Sequence, residues 1–246
     1  MKSLEIQDLS FKYADSGFRL LIQDLICEKN ESLGLIGPTA SGKTTLLKII
    51  VGFLKFQGRI SIFGKKMGKS LNTEQKQKIY YLQQNPENQI IFNTPYEEIA
   101  FNLDQKGVSK SKLKDLIKQC AVGMEIEHIL HHNIGRLSYG QKKKICLAPI
   151  LGKEFDLLLL DDPVAGLAAG DHSKLAENLN EQKKSKIIAS TDLDFILKTC
   201  RRVIILNNGK VVSSGKVNEI MSNQQLMEEN GLVVPLNITL YKSIYI

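Results

Sequence analysis

One short stretch of the sequence decides the fold: Gly37-Pro38-Thr39-Ala40-Ser41-Gly42-Lys43-Thr44. It fits the pattern GxxxxGK[ST] and lies between a short apolar strand, Leu33 to Ile36, and a segment with helical periodicity, Gly42 to Val51. In such a P-loop the backbone N–H groups and the helix N-terminus surround phosphate groups. Lys43 adds a positive charge at the β- and γ-phosphates, and the Thr44 hydroxyl can bind Mg²⁺. The stretch therefore predicts a nucleotide-phosphate site.

A carboxylate follows the most apolar strand of the chain. Asp161 comes directly after Leu157-Leu158-Leu159-Leu160. A side chain in this position emerges at the carboxyl edge of a parallel sheet, beside a nucleotide cleft. As a Walker B residue, Asp161 can hold Mg²⁺. Together with the P-loop it predicts binding of a nucleoside triphosphate and Mg²⁺.

The hydrophobic pattern changes twice along the chain. Residues 1–84 are predicted to be β-rich with one helix, residues 85–150 to be helical, and residues from 156 onward to alternate strand and helix. The alternating part implies a parallel sheet, and the helical part an insertion between two parts of the sheet domain. Pro149 is expected to end or kink the last inserted helix. The predicted strands are Ser3–Phe11, Leu20–Cys27, Leu33–Ile36, Leu157–Asp161, Lys186–Ser190 and the hairpin Val203–Leu206 with Val211–Ser213; the predicted helices are Gly42–Val51, Tyr96–Leu103, Ser111–Cys120, Glu125–His131, Gly140–Ile150, Asp171–Glu181 and Leu193–Lys198.

Composition excludes several classes of protein. The chain has 246 residues, of which 43% are hydrophobic and 24% are charged, so it is not a disordered or low-complexity protein. The net charge of +7 favours anionic partners such as nucleotides. No apolar run approaches the roughly 18–20 residues that a membrane-spanning helix needs, and the N-terminal pattern is not that of a secretion signal. The four cysteines have no zinc or disulfide spacing, which predicts free thiols; they are Cys27, Cys120, Cys146 and Cys200.

A third motif points to a family. Leu137-Ser138-Tyr139-Gly140-Gln141 lies after the helical part and before Asp161, and it resembles the LSGGQ signature of ATP-binding cassette (ABC) ATPases. This resemblance implies a P-loop α/β core with a mixed sheet, flanking helices and an antiparallel β subdomain. It divides the chain into a core (1–84 and 151–230), a helical signature subdomain (85–150) and a tail (231–246). It also implies two chains sandwiching two ATP molecules, in which the signature residues Ser138, Tyr139, Gly140 and Gln141 reach the nucleotide of the opposite chain.

Further positions match the family pattern. Tyr13 corresponds to the aromatic residue that stacks on adenine, and Gln84 to the Q-loop glutamine, which contacts Mg²⁺ and the attacking water. The resemblance thus implies a nucleotide site made of Tyr13, Gln84 and the P-loop residues Gly37, Pro38, Thr39, Ala40, Ser41, Gly42, Lys43, Thr44 and Thr45. Its Mg²⁺ ligands would be Thr44, Gln84 and Asp161, and its catalytic positions Asp162, Gln84, Lys43 and Thr191.

Two segments are similar to one subfamily. The stretch from Gln84 to Phe101 and the tail from Met227 to Pro235 resemble the ATPases of energy-coupling factor transporters and their cobalt and nickel relatives. The resemblance implies an importer of a vitamin or a transition-metal ion, with a membrane-embedded coupling subunit and a substrate-binding membrane subunit. The chain would then lie peripherally on the cytoplasmic face of the membrane, with a groove near Gln84 to Phe101 for the helices of the membrane partner.

The chain departs from the family pattern where hydrolysis is expected. Asp162 stands in place of the usual glutamate, Thr191 in place of the switch histidine, and Ala168 in place of the D-loop aspartate. The Asp162 carboxylate is one methylene shorter than that of glutamate, and a misplacement of about 1 Å can cost on the order of a hundredfold in rate. These residues predict that the nucleotide site of this chain binds ATP but hydrolyses it slowly. They also favour a heterodimer over a homodimer. A homodimer with sufficient chemistry is the alternative.

Other functions remain open from the sequence. A nucleic-acid-associated ABC ATPase and a non-hydrolysing regulatory subunit are the alternatives, although no nucleic-acid partner is expected. His128, His131 and His132 have helical spacing but are interpreted as a solvated cluster. The run Lys142-Lys143-Lys144 is interpreted as a solvated face of the signature helix, with a modest attraction to the membrane side.

Overall fold

The fold is that of a computed structural model, which describes residues 1–68, 70–103, 109–152, 155–235 and 237–238. Within these residues the strands form one mixed sheet in the order β5-β4-β1-β2-β10-β9-β3-β8-β7-β6. In chain order the strands are β1 Lys2–Lys12, β2 Arg19–Glu28, β3 Ser32–Ile36, β4 Gln57–Ile62, β5 Lys65–Lys66, β6 Ile79–Leu82, β7 Leu157–Asp161, β8 Ser185–Ala189, β9 Arg202–Asn207 and β10 Lys210–Lys216. The helices are α1 Lys43–Ile50, α2 Thr73–Lys78, α3 Pro95–Leu103, α4 Lys110–Gly123, α5 Tyr139–Leu147, α6 Pro149–Gly152, α7 Ala169–Glu181, α8 Leu193–Thr199, α9 Val217–Met221 and α10 Gln224–Glu229.

The sheet has a parallel part and an antiparallel part. Strands β9, β3, β8, β7 and β6 pair in parallel, whereas β1 pairs antiparallel with both β2 and β4. The parallel strands are covered on both faces, which explains why β7 is leucine-rich without alternation. Leu158 and Leu160 contribute to the hydrophobic core on one face, and Leu157 and Leu159 to the core on the other. The predicted mixed sheet with flanking helices is confirmed.

The loops that carry the motifs share one edge of the sheet. The P-loop follows β3, Gln84 follows β6, Asp162 follows β7 and Thr191 follows β8, and these four strands are neighbours. All four pair in parallel, so their carboxyl ends meet at the same edge. Ligands of open α/β sheets bind at this edge. The topology therefore brings together residues that are up to 154 positions apart in the sequence (from Gly37 to Thr191).

The predicted hairpin is present. Strands β9 and β10 pair antiparallel with Asn207 opposite Lys210, which leaves Asn208 and Gly209 as the two loop residues. Both loop residues have positive φ, 48° and 72°. This backbone geometry is that of the type I′ turn for which Asn-Gly is preferred. A Cβ on Gly209 would lie 1.8 Å from the carbonyl oxygen of Arg19, so β2 also requires glycine here.

Helices α3 to α6 form the predicted helical part between β6 and β7. The inner side of α4 buries Ile117, Cys120 and Ala121 against the same core that covers the parallel strands. The Tyr80 hydroxyl, in β6, donates a hydrogen bond to the carbonyl oxygen of Cys146 in α5. Helix α5 ends at Leu147 and a new helix starts at Pro149, as the missing N–H of proline predicts.

Two local predictions are wrong. The region before residue 84 contains a second helix, α2, which begins at an Asn72–Gln75 capping box that the prediction overlooked. The segment Glu125 to His131 is not an α-helix, because Glu125 has φ of 58° and only Glu127–Ile129 form a short 3₁₀ turn. His128 and His131 therefore do not share a face of an α-helix.

The remaining predictions concern the termini and the thiols. All four cysteines are free, as predicted, and the structure places all four of them in the interior. The tail continues from α10 as far as Pro235, with Gly231 beside Pro38; the rest of the predicted tail, residue 236 and residues 239–246, lies outside the described residues. Among the helices that the structure describes, none combines the length and apolarity required to cross a bilayer.

Candidate nucleotide site

The P-loop follows β3 in a backbone conformation that needs glycine. Gly37 has φ of 150°, and a Cβ there would lie 1.9 Å from the carbonyl oxygen of Leu206. Gly42 has φ of 110° and is the N-cap of α1. Between them Ala40 has φ of 62°, which is unfavourable for a residue with a Cβ. Ala40 therefore stores strain within the P-loop.

Lys43 is held inside the loop. Its Nζ donates hydrogen bonds to the carbonyl oxygens of Gly37 (2.8 Å) and Pro38 (2.9 Å). Burial lowers the pKa of Lys43, and the nearby carboxylates of Asp162 and Asp161 oppose that shift. The ammonium group is thus held by loop carbonyls within the charge field of two acidic residues, inside the loop whose amides suit a phosphate.

A cavity of about 330 Å³ opens at this edge of the sheet. Its lining includes most of the predicted nucleotide-site residues, from the P-loop, the Q-loop, the end of β7 and the switch loop. Gly37 and Pro38 form the start of the loop and do not belong to the lining. Phe18, Ser16, Ala189 and Ser190 line the cavity although the sequence analysis did not single them out as site residues. The lining residues are Tyr13, Ser16, Phe18, Thr39, Ala40, Ser41, Gly42, Lys43, Thr44, Thr45, Gln84, Asp161, Asp162, Ala189, Ser190 and Thr191.

Aromatic rings form one wall of the cavity. Tyr13 follows β1, its ring centroid lies 6.3 Å from that of Phe18, and its hydroxyl oxygen lies 3.2 Å from Oγ1 of Thr45. Phe18 also contacts the P-loop, because a Cβ on Gly42 would lie 2.8 Å from its ring. The wall offers flat apolar surface beside the phosphate loop, the arrangement that a nucleobase requires. Only its aromatic residue type could have indicated Phe18 from the sequence.

Asp161 has the environment of a metal ligand. The residue is 3% exposed, and its Oδ2 is buried without a hydrogen-bond partner among the described residues. Burial raises the pKa of Asp161, while a hydrogen bond with the Thr44 hydroxyl and the charges of Lys143 and Lys43 oppose the rise. Carboxylate and hydroxyl oxygens are hard ligands that suit Mg²⁺. Asp161 and Thr44 therefore fit a Mg²⁺ ion.

Asp162 is tied to the switch loop. Its backbone has φ of 50°, its N–H donates to the carbonyl oxygen of Ala189 (2.8 Å), and its Oδ1 accepts a hydrogen bond from Ser190 Oγ (3.0 Å). Asp tolerates this left-handed backbone better than most residues. One of the two carboxylate oxygens is thus already engaged by a neighbouring side chain. Thr191, next to Ser190, is exposed and lines the cavity.

The D-loop position and the switch loop are connected by a histidine that the sequence analysis missed. His172, in α7, has Nδ1 3.3 Å from a carboxylate oxygen of Asp192 and Nε2 3.3 Å from the carbonyl oxygen of Leu167. Ala168, which starts α7, makes no side-chain cap. No sequence signal marks His172, because its partners come from two different loops.

The signature residues lie apart from the cavity of their own chain. Ser138 is the N-cap of α5 and forms a capping box with Gln141, as its sequence suggests. Among the described residues that line the cavity, none belongs to the signature. Tyr139 is 41% exposed, and Gly140 lies against Gly166, since a Cβ there would be 2.7 Å from the Gly166 oxygen.

The lysine run in α5 is not a solvated face, which corrects the sequence interpretation. Lys143 is completely buried. Lys142 pairs with Glu87 (2.7 Å) and Lys144 with Asp171 (2.8 Å), and the side chains of both lysines are less than one fifth exposed. The three charges are used for contacts with the Q-loop region and with α7. A membrane-attracting role for this run is therefore not supported.

Comparison with known proteins agrees with this geometry. The sequence model described as ABC transporter matches residues 22–165. A protein of Gloeobacter violaceus, whose name assigns it provisionally to the ABC transporter ATP-binding proteins, is 34% identical over 97% of this chain and 99% of its own length. The energy-coupling factor transporter ATP-binding protein EcfA of Carboxydothermus hydrogenoformans is 29% identical over 98% of this chain and 90% of its own length.

A solved structure gives the same picture. CbiO1 from Clostridium perfringens, part of the ABC transporter complex CbiONQ, superposes with a TM-score of 0.77 at 25% identity, covering 98% of this chain and 99% of its own. The shared fold, the cavity at the carboxyl edge and the sequence match lead to one conclusion. The chain belongs to the ABC transporter family and is an ATPase domain of that family.

Proposed function

We propose that this chain is the ATP-binding subunit of an energy-coupling factor-type importer of a vitamin or transition-metal ion. It binds Mg·ATP in its own cavity, and with a second ABC subunit it sandwiches two nucleotides. Its own site hydrolyses ATP slowly, while Ser138 and Gly140 complete the site of the partner. A heterodimer fits this asymmetry better than a homodimer does.

The observation that carries the slow own site is the arrangement around Asp162. One oxygen of its short carboxylate accepts a hydrogen bond from Ser190 Oγ at 3.0 Å, which ties the carboxylate to the switch loop and occupies one of the acceptor positions that could orient a water. Thr191 has no ring nitrogen and no cationic form that could contact a γ-phosphate. Lys43, Thr44 and Asp161 are in place, so binding and turnover are expected to differ.

Within the binding site, each group has a separate task. The P-loop amides and Lys43 bind the phosphates, the Tyr13 wall receives the base, and Thr44, Asp161 and Gln84 hold Mg²⁺. When bound, Mg²⁺ neutralises phosphate charge. Asp161 Oδ2, which has no hydrogen-bond partner in the part of the chain that the structure describes, supports this assignment, because a buried carboxylate oxygen without a partner is otherwise costly.

An exposed apolar surface supports docking to a membrane subunit. Ile91 is 71% exposed, Phe101 58% and Phe92 36%, and the two phenylalanine rings are 5.3 Å apart. We call these three residues the apolar patch. It lies in the region where the groove for partner helices is expected, and contiguous exposed apolar residues mark interaction sites. This contact would hold the chain peripherally on the cytoplasmic face of the membrane.

Calorimetry tests the binding function. The chain is expected to bind Mg·ATP, and Lys43→Ala to abolish binding, whereas Lys55→Ala, at an exposed position in the connection between α1 and β4, has no effect. Absence of Mg·ATP binding by the native chain would refute the proposed function as a whole.

Single-turnover hydrolysis tests the slow site. The isolated chain is expected to release phosphate slowly and to lose little activity on Asp162→Asn. Brisk hydrolysis that Asp162→Asn abolishes would reject the slow own site and favour a homodimer. No phosphate release even in the native complex would favour a regulatory subunit.

Purification of the native complex tests the partners. Membrane subunits are expected to co-purify with the chain and to be lost on Phe101→Glu, but not on Val122→Glu, a matched change at an exposed position of α4. Nucleic acid that remains bound at high salt, in place of membrane subunits, would favour the nucleic-acid-associated class.

A further inference from the structure

Two side chains of the signature helix bind the same backbone atom of the Q-loop. The carbonyl oxygen of Gln84 accepts hydrogen bonds from the Tyr139 hydroxyl (2.9 Å) and from Lys143 Nζ (2.8 Å). Lys143 Nζ also donates to the carbonyl oxygen of Gln83 (3.1 Å). A carbonyl oxygen has two lone pairs, so both acceptor positions of Gln84 are filled by one helix. Tyr139, Lys143 and these two carbonyls are called the clasp.

Lys143 is an unusual residue for a purely structural contact. Its side chain is fully buried, and burial lowers its pKa to about 8, although Cys146 of its own helix and Asp162 and Asp161 at the end of β7 oppose the shift. A buried ammonium group is costly unless it is hydrogen-bonded. The two Q-loop carbonyls provide that compensation. Separating α5 from the Q-loop would therefore leave the buried ammonium group without these two acceptors, which is unfavourable.

Tyr139 also contacts the loop that precedes α7. Its ring covers Gly166, where a Cβ would lie 2.3 Å from the ring and where φ is 78°. Tyr139 and Lys143 are four residues apart and therefore lie on one face of α5. The same tyrosine thus contacts the loop before α7 through its ring and the Q-loop through its hydroxyl.

Gln84 connects the clasp to the nucleotide cavity. Gln84 lines the nucleotide cavity, and its carbonyl oxygen is held by the signature helix. A displacement of the Gln84 backbone toward bound nucleotide must therefore either move α5 or break the clasp. Ser138, one residue before Tyr139, is the N-cap of that helix.

We propose that Tyr139 and Lys143 are positioning residues that couple the nucleotide site of this chain to its signature helix α5. The position of the N-terminus of α5, which faces the partner's nucleotide, then depends on whether this chain's own site holds nucleotide. The proposal rests on the proposed function, since it assigns Gln84 to the nucleotide and Ser138 to the partner's site. The clasp would transmit occupancy of a slowly hydrolysing site to the partner, with no hydrolysis required.

Hydrogen exchange of the full chain tests the coupling without a partner. The measurement is made at a concentration where light scattering reports a monomer, so the signature cannot touch a second nucleotide. At saturating Mg·ATP, peptides from 39–45 and from 137–147 are followed in the native chain, Tyr139→Phe and Lys143→Met. Tyr96→Phe, which alters a ring stacked on His131 in the same subdomain, is the matched control.

In the native chain and the control, Mg·ATP is expected to slow exchange in both peptides, in 137–147 by about fivefold, the factor that corresponds to one ordinary hydrogen bond. In Tyr139→Phe the slowing in 137–147 is expected to fall below about twofold, because the carbonyl loses one donor. Lys143→Met is expected to abolish it. Tyr139→Phe removes only a partly exposed hydroxyl, so the test does not depend on whether Lys143→Met folds.

The two proposals fail in different ways. If 39–45 is protected but 137–147 does not respond in the native chain, or responds equally in Tyr139→Phe, the coupling is refuted and nucleotide binding stands. If Mg·ATP protects neither peptide of the native chain, nucleotide binding is refuted and the coupling falls with it.

Discussion

Helix α7 begins without a cap, which allows a quantitative test of the D-loop position. Ala168 has the extended backbone of an N-cap residue, φ −70° and ψ 152°, but no side chain that accepts a hydrogen bond from the first turn. The residue is exposed, so a polar replacement buries nothing. Replacing alanine by asparagine or aspartate at an N-cap gains about 1 kcal/mol, with a range of about 0.5–2.

The gain is measurable by thermal unfolding. For a chain of 246 residues, about 1 kcal/mol corresponds to a rise in Tm of about 2–4 °C. Circular dichroism of the ligand-free chain measures it. The Tm of Ala168→Asp is expected to rise at least as much as that of Ala168→Asn. The reason is that an acidic group near a helix N-terminus adds about 0.3–1 kcal/mol to the stability, less any repulsion from Asp171. Ala169→Asn, one residue later, is the control and has no cap geometry.

Two results would refute this reasoning. Ala168→Asn could leave Tm unchanged or lower it, or Ala169→Asn could raise Tm equally.

The pair Ala168→Asn and Ala168→Asp also separates stability from catalysis. Both side chains cap the helix, but only aspartate restores the charge that the family has in the D-loop. Faster ATP hydrolysis is expected for Ala168→Asp alone.

Three further predictions concern strain, ionisation and packing. Ala40→Gly is expected to stabilise the chain by about 0.5–1 kcal/mol in urea denaturation, because release of a left-handed alanine (about 1–2 kcal/mol) exceeds the added entropy of glycine in the unfolded chain; a loss of stability would contradict the strain. Burial raises the pKa of Cys200 from 9.0 to about 12, so the folded thiol stays protonated where the unfolded thiol ionises. The stability that Cys200 contributes is complete below pH 9 and lost as pH rises toward 12, by about 1.4 kcal/mol per pH unit. Cys200→Ala should flatten the fall of unfolding free energy with pH between 9 and 11; an unchanged slope would contradict the shift. Gly140→Ala is expected to cost about 1–3 kcal/mol, since its Cβ would lie 2.7 Å from the Gly166 oxygen; unchanged stability would mean that this contact relaxes freely.

The proposed slow own site and the proposed coupling through the clasp concern the same asymmetry between the two nucleotide sites. Asp162, Thr191 and Ala168 depart from the family where a chain acts on its own nucleotide or communicates across the dimer. Tyr139 departs where the chain meets the nucleotide of its partner, and its hydroxyl binds the Q-loop. A chain with these features would contribute mainly to the partner's site.

Motifs with a local physical basis could be predicted from the sequence. The P-loop needs glycine at Gly37 and Gly42 for backbone reasons, and the Asn208-Gly209 turn needs positive φ. The run Leu157 to Leu160 identifies a strand buried on both faces. In each case the information lies within a few consecutive residues, so it can be recognised without knowledge of the fold.

Contacts between distant segments could not be predicted in this way. The lysine run of α5 was expected in solvent, yet Lys143 bonds to carbonyl oxygens 59 and 60 positions away. The Ser190 hydroxyl reaches Asp162 across 28 positions. Residue type and spacing are the same for a solvated lysine and a buried one, and only the partner atoms distinguish them.

The sequence by itself determined the family, the phosphate loop and the position of the carboxylate that we propose binds Mg²⁺, because these depend on short-range backbone geometry and on strand ends. The tertiary structure decided which side chains face the cavity, which carboxylate oxygen is already engaged and how the signature helix is held. Those properties depend on the order in which parallel strands are placed side by side, and on the low dielectric of the interior, where a charge such as that of Lys143 persists only beside oxygen atoms that folding brings to it.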